Sequence, residues 1–105
     1  MDVFFADPKL EEMCASHRQL VRMFGSDNAA RIEMRLQHLT EADSLQDLQL
    51  LGGRLHSLKA DRAGQFALDL KHPRRLVFVP VGVDEPYDDW SEIRSIEILE
   101  IVDYH

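Results

Sequence analysis

Apolar positions recur every three or four residues in the first half of the chain and every second residue from Phe66 onward. The first spacing is that of a helix face and the second that of a half-buried strand. Val3-Phe4-Phe5 ahead of Asp7-Pro8 predicts a brief strand, then a helix with Asp7 as its cap and Pro8 at the first helical position. Leu10, Met13 and Cys14 fall at i, i+3 and i+4, which places that helix at about 8–15. Leu20, Val21 and Phe24 predict a second helix over about 17–24, ended by Gly25. Ala29, Ile32, Leu36 and Leu39 make one stripe of a third, over about 28–42, with Asp27 as its cap. Ser44, with Asp47 three residues on, predicts one more turn over 44–51, stopped by Gly52-Gly53.

Then the period changes. Arg54–Lys59 reads as a strand with Arg54, His56 and Leu58 on one face, and Asp61–Gly64 as a turn. Phe66, Leu68 and Leu70 alternate with Gln65, Ala67, Asp69 and Lys71 in the next strand. His72-Pro73 belongs in a hairpin turn, because proline cannot donate to a ladder. Leu76–Val79 is a third strand, opened by Arg74-Arg75, and residues 82–92 form a long polar loop. The last strand runs over 94–103, and its alternation slips between Ile98 and Leu99, as at a bulge or in a strand buried on both faces. A short strand, then helices, then a run of strands predicts an α+β fold, with N-terminal helices packed on one side of an antiparallel β-sheet.

At 105 residues, with 45% apolar and 30% charged residues, the chain has the size and composition of one folded domain, 1–105. Apolar runs as short as Leu76–Val79 predict no membrane span, which needs ~20 residues. The start has no basic stretch and no long apolar core, so no signal peptide is expected. A single cysteine, Cys14, excludes an internal disulfide and fits a reducing, cytoplasmic setting. The net charge is −7, but segment 54–75 carries +4 and the remainder −11. The acidic balance argues against nonspecific nucleic-acid binding, while the basic segment leaves room for a local phosphate site. The acids of 84–92 are expected to face away from that segment.

No glycine-rich phosphate loop, zinc-protease motif or paired Cys-x-x-Cys is present. Cys14 and His17 alone do not make a zinc site, and the acids at 84–92 lack the regular oxygen spacing of a calcium loop. What stands out is a clustering of imidazole, ammonium, guanidinium and phenol groups on the strands: Arg54, His56 and Lys59, then Arg74-Arg75, then Asp103-Tyr104-His105. These are the groups that phosphodiester cleavage uses.

The run Gly53-Arg54-Leu55-His56-Ser57-Leu58-Lys59-Ala60-Asp61-Arg62-Ala63-Gly64-Gln65-Phe66 resembles the Gly-x-Arg-x-His-x-Leu-Lys-Gly-Asp-x-x-Gly-aromatic signature of HigB toxins, in the RelE/ParE superfamily of type II toxin–antitoxin systems. Arg75-Leu76-Val77-Phe78 resembles that family's Arg-Ile-x-Phe strand, and Val102-Asp103-Tyr104-His105 is similar to its closing Asp-Tyr-His. Ala60 stands where the motif has glycine, and Phe66 where tryptophan is common.

The resemblance implies a RelE-like fold, helices over a curved antiparallel sheet, and a ribosome-dependent mRNA endonuclease needing no metal or cofactor. In that reading the ribose 2′-OH attacks the adjacent phosphate. His56 and His105 transfer protons, with base and acid left open. Lys59 and Arg75 stabilise the phosphorane, Asp103 orients a histidine or serves as a base, and Tyr104 stacks on a base or bonds the phosphate. Arg54, Arg62 and Arg74 would bind RNA. The implied partners are the ribosome with its mRNA and a helix-turn-helix antitoxin, with operator DNA reached only through the antitoxin. His56, Lys59, Arg75 and His105 are expected to converge in one shallow pocket. A non-catalytic protein of the same fold, binding a partner, is the alternative reading.

Overall fold

The computed structural model describes residues 1–103. Strand β1 (Asp2–Phe5) leads into helices α1 (Pro8–Cys14), α2 (His17–Phe24), α3 (Ser26–Glu41) and α4 (Leu45–Leu48), the last extended by a 3-10 turn over Gln49–Leu51. Strands β2 (His56–Ser57), β3 (Phe66–Asp69), β4 (Arg74–Pro80) and β5 (Ser95–Asp103) follow. The five strands form one sheet in the order β1-β5-β4-β3-β2. The fold is α+β, as the change of period predicts. None of the helices is long and apolar enough to cross a membrane.

The caps explain several helix ends. Asp7 accepts from the Lys9 N–H at 2.9 Å and Pro8 opens α1. Ser16 accepts from Gln19 at the start of α2, and Gly25, at φ 85°, closes it. The start of α3 differs from expectation. It begins at Ser26 without a side-chain cap, and Asp27 lies inside the first turn, paired with Lys71 at 3.1 Å. An acid there is favourable beside the helix N-terminus whether or not it is the cap, so composition alone does not fix the first residue.

The helices and one face of the sheet enclose a single core. Leu10, Leu20, Ile32, Leu39, Leu45 and Leu48 meet Phe66, Leu68, Leu76, Phe78, Ile96 and Ile98. Cys14 lies at the margin of that core, and burial pushes its thiol up to about 11 from a normal value of 9.0. Alkylation by iodoacetamide at pH 8 is therefore expected to run about a hundredfold slower than that of a free thiol, since the thiolate is the nucleophile. A rate equal to that of the urea-unfolded chain would refute the protection. The sign also follows for stability: it holds in full below the unfolded thiol's pKa, then falls as pH rises through the folded value.

Three expectations are corrected. The sheet is mixed, because β1 runs parallel to β5, with Val3 opposite Ile96 and Phe5 opposite Ile98. Alternation marks which residues face the core but not which way a strand runs, and chain-distant partners have no hairpin to fix direction. The expected strand 54–59 shrinks to His56–Ser57, because Arg54 and Ala60 take positive φ of 51° and 58°, which ends the extended run on both sides. The acidic loop does not turn away from the basic segment. Tyr87 Oη donates to the Gly64 carbonyl at 3.0 Å, and the rings of Tyr87 and Trp90 pack on Phe66. A Cβ at Gly64 would come within 3.0 Å of the Glu85 carboxyl carbon. Burial, then Glu85 and Asp84, raises the Tyr87 phenol, so it stays a donor through neutral pH.

The expected slip in β5 is present. Phe78 pairs with Ile98 and Val77 with Glu100, leaving Leu99 as the extra residue of a bulge.

Candidate functional site

Register sorts the candidate residues onto the two faces. Phe66 and Leu68 of β3, with Phe78 and Leu76 of β4 opposite them, face the helices. Their alternates therefore point to the other face, where Ala67 and Val77 are nonetheless fully buried. His56 lies opposite Ala67, Ala67 opposite Val77, and Val77 opposite Glu100. One step along the same face lie Asp69, Arg75 and Val102 in a row. His56 and Arg75 thus share a face, two strands apart and two residues along, roughly 12 Å between Cα atoms by strand spacing and rise.

Arg62 joins them from the 3-10 turn at Ala60–Arg62. Its guanidinium bonds Gln65 at 2.9 Å and forms an ion pair with Glu100, so it belongs to the face away from the helices. Asp69 takes Arg54 through two bonds, at 2.5 and 3.3 Å, and Arg75 at 3.5 Å. The hydrogen bond and charge of Asp69 raise the Arg54 pKa, so the guanidinium stays charged throughout the working range. Three arginines of this face therefore meet two carboxylates of the same chain. The pairing keeps the planar donor groups ordered on the surface, where exposed pairs contribute little to stability.

The imidazole of His56 is held at one of its two nitrogens. Its Nδ1 lies 2.7 Å from the Arg54 carbonyl. A carbonyl only accepts, so Nδ1 carries the hydrogen, and in the neutral ring Nε2 keeps a lone pair. Nε2 is buried and has no hydrogen-bond partner among the described residues. A buried acceptor left in this way calls for an explanation, and a role in catalysis is one that fits an imidazole.

The other expected residues separate. Arg74 and Asp103 are register partners on the helix side, and the Arg74 guanidinium lies 5.0 Å from the ring centre of Phe24 on α2. The structure therefore divides Arg74 and Asp103 from His56, Arg62 and Arg75. Adjacent arginines on a strand point to opposite faces, so Arg74-Arg75 could not serve one surface together. Lys59 is exposed and precedes the 3-10 turn, at the end of the short edge segment. Tyr104 and His105 lie outside the described residues, and with them the expected meeting of His56 and His105.

Asp69 and Glu100, which hold the arginines, were not among the expected residues. Alternation could have found both: each is a polar position beside core-facing neighbours, Asp69 within the basic segment and Glu100 in the strand paired with β4. Among the described residues, no three His, Cys, Asp or Glu side chains come together as metal ligands. The chain matches no family model, and no curated protein matches it.

Proposed function

We propose that the chain is a HigB-like toxin of RelE type: a ribosome-dependent mRNA endonuclease that acts in the cytoplasm and is restrained by a helix-turn-helix antitoxin. The reading rests on the motif resemblance and on one structural observation above all, the His56 ring held with Nδ1 protonated and Nε2 without a partner among the described residues, on the face that carries Arg62 and Arg75.

The chemistry is an internal transesterification. Once RNA binding uncovers Nε2, neutral His56 takes the proton of the ribose 2′-OH there, and the resulting alkoxide attacks the adjacent phosphorus. The bond from phosphorus to the 5′-oxygen breaks, leaving a 2′,3′-cyclic phosphate and a free 5′-OH. His105, by the family resemblance, supplies the proton to the departing 5′-oxygen. Arg75 and Arg62, released from Asp69 and Glu100 by the incoming phosphate, stabilise its extra negative charge, and Lys59 reaches in from the edge of the sheet. Because the nucleophile belongs to the substrate, the reaction needs no metal-activated water.

The decisive experiment incubates the purified chain with translating ribosomes and analyses the mRNA ends. Cuts that need the ribosome and leave 2′,3′-cyclic phosphates are the expected result. A chain that binds a helix-turn-helix partner tightly yet cuts nothing would replace this reading with the non-catalytic, partner-binding one.

A further inference from the structure

We propose that Arg35, on α3, is a positioning residue that fixes the ring tautomer of His56 through the backbone of Gly53 and Arg54. The inference rests on the role proposed for His56 and names the part of the fold that sustains it.

Arg35 is only 8% exposed, which is rare for a guanidinium unless it is bonded. Its Nε donates to the Asp69 carbonyl at 3.1 Å. Its flat end rests against Gly53, where a Cβ would come 2.7 Å from Nε and 3.0 Å from Cζ. Gly53 also has φ 86°, so this glycine supplies both the backbone conformation and the space that the guanidinium fills. The Asp69 N–H donates to the Gly53 carbonyl at 2.7 Å, which closes a loop of contacts from α3 to β3 and on to residue 53.

The next residue completes the path. Arg54 has φ 51°, a conformation that non-glycine residues adopt only when their surroundings impose it. Its side chain is gripped by Asp69, and its carbonyl receives the Nδ1–H of His56. Arg35 thus holds Gly53 and the Asp69 peptide, these hold Arg54, and Arg54 selects the hydrogen-bearing nitrogen of His56. Burial, then the neighbouring charge of Arg31, works against the Arg35 charge, and Asp69 supports it. An apolar side chain would fill the same space without that cost, but it would not draw in the Asp69 carbonyl.

The test reads the tautomer directly, by long-range 1H–15N correlation of the imidazoles in 15N-labelled protein. The His56 signals are assigned by their absence from His56→Gln. The wild type is expected to show one tautomer, with hydrogen on Nδ1. Arg35→Met, which keeps length and loses the donors, is expected to show a mixture. Its kcat for cleavage on ribosomes should fall about tenfold to a hundredfold with KM unchanged, as for a misplaced catalytic group. Should the Met variant not fold, Arg35→Lys is the second probe. Its ammonium reaches the Asp69 carbonyl but cannot lie flat on Gly53, so the mixture is again expected.

A folded Met or Lys variant that keeps the single tautomer would overturn the proposal, as would a wild type with hydrogen on Nε2. If the wild type cuts no mRNA but the tautomer still depends on residue 35, the nuclease reading fails and the positioning role stands.

Discussion

His56→Gln is expected to lower ribosome-dependent cleavage by about a hundredfold to ten-thousandfold, the usual worth of a positioned general base. Glutamine is close to histidine in size and can still reach the Arg54 carbonyl with its amide. What it lacks is a nitrogen that accepts a proton near neutrality. His56 is only half-buried and belongs to a two-residue strand, so the fold should tolerate the change. The far-ultraviolet circular dichroism and the urea midpoint should stay close to wild type. Cleavage by a folded His56→Gln protein at the parent rate would remove His56 from the chemistry.

The largest expected effect on stability belongs to Phe66→Ala. Phe66 is 2% exposed and lies 5.9 Å from the Phe78 ring centre, 5.7 Å from Tyr87 and 5.2 Å from Trp90. Truncating a ring so placed costs about 3–5 kcal/mol, from lost burial and from the cavity left behind. Against a whole-domain stability of about 5–15 kcal/mol that is a large fraction, and urea denaturation measures it. The same variant should loosen the acidic loop, since Tyr87 and Trp90 lose the surface they pack on. Trp90 is the only tryptophan, so its emission should move to longer wavelength in the folded variant. Phe66→Leu fills much of the volume and should lose less stability. A loss under about 1 kcal/mol for the alanine variant would show that the loop, not the ring, closes this end of the core.

Much of the fold was legible because it rests on local chemistry. Asp7-Pro8, Gly25 and Ser44 act within a few residues of themselves, so the helix ends could be read from them. The bulge at Leu99 was legible because the alternation of β5 is strict on either side. What resisted reading depends on distant partners. The direction of β1 is set by strand β5, far along the chain. Arg54 looked like a strand residue because its positive φ comes from Asp69 and Gly53, fifteen and one residues away. The candidate site divides in the same way. The residue types of segment 54–75 pointed to phosphate chemistry. Only the register showed that Arg75 shares the face of His56 while Arg74 turns to Phe24. Arg35 gave no signal at all, since a polar residue on a helix reads as solvent-facing until the segment packed over it is known.

The extra residue in β5 also decides the parity of residues 100–103 beyond it. With Leu99 set aside, Glu100 falls opposite Val77, Val102 opposite Arg75 and Asp103 opposite Arg74. Count Leu99 into the ladder, and Leu99 would stand opposite Val77, turning Glu100 toward the helices beside Leu76. The carboxylate that meets Arg62 would then be a charge aimed at the core, and Ile101 would point to solvent. The bulge thus works as a frame: drawing Leu99 into the ladder would leave every side chain in the sequence yet reverse the face on which residues 100–103 appear, whereas deleting Leu99 would keep them where they are.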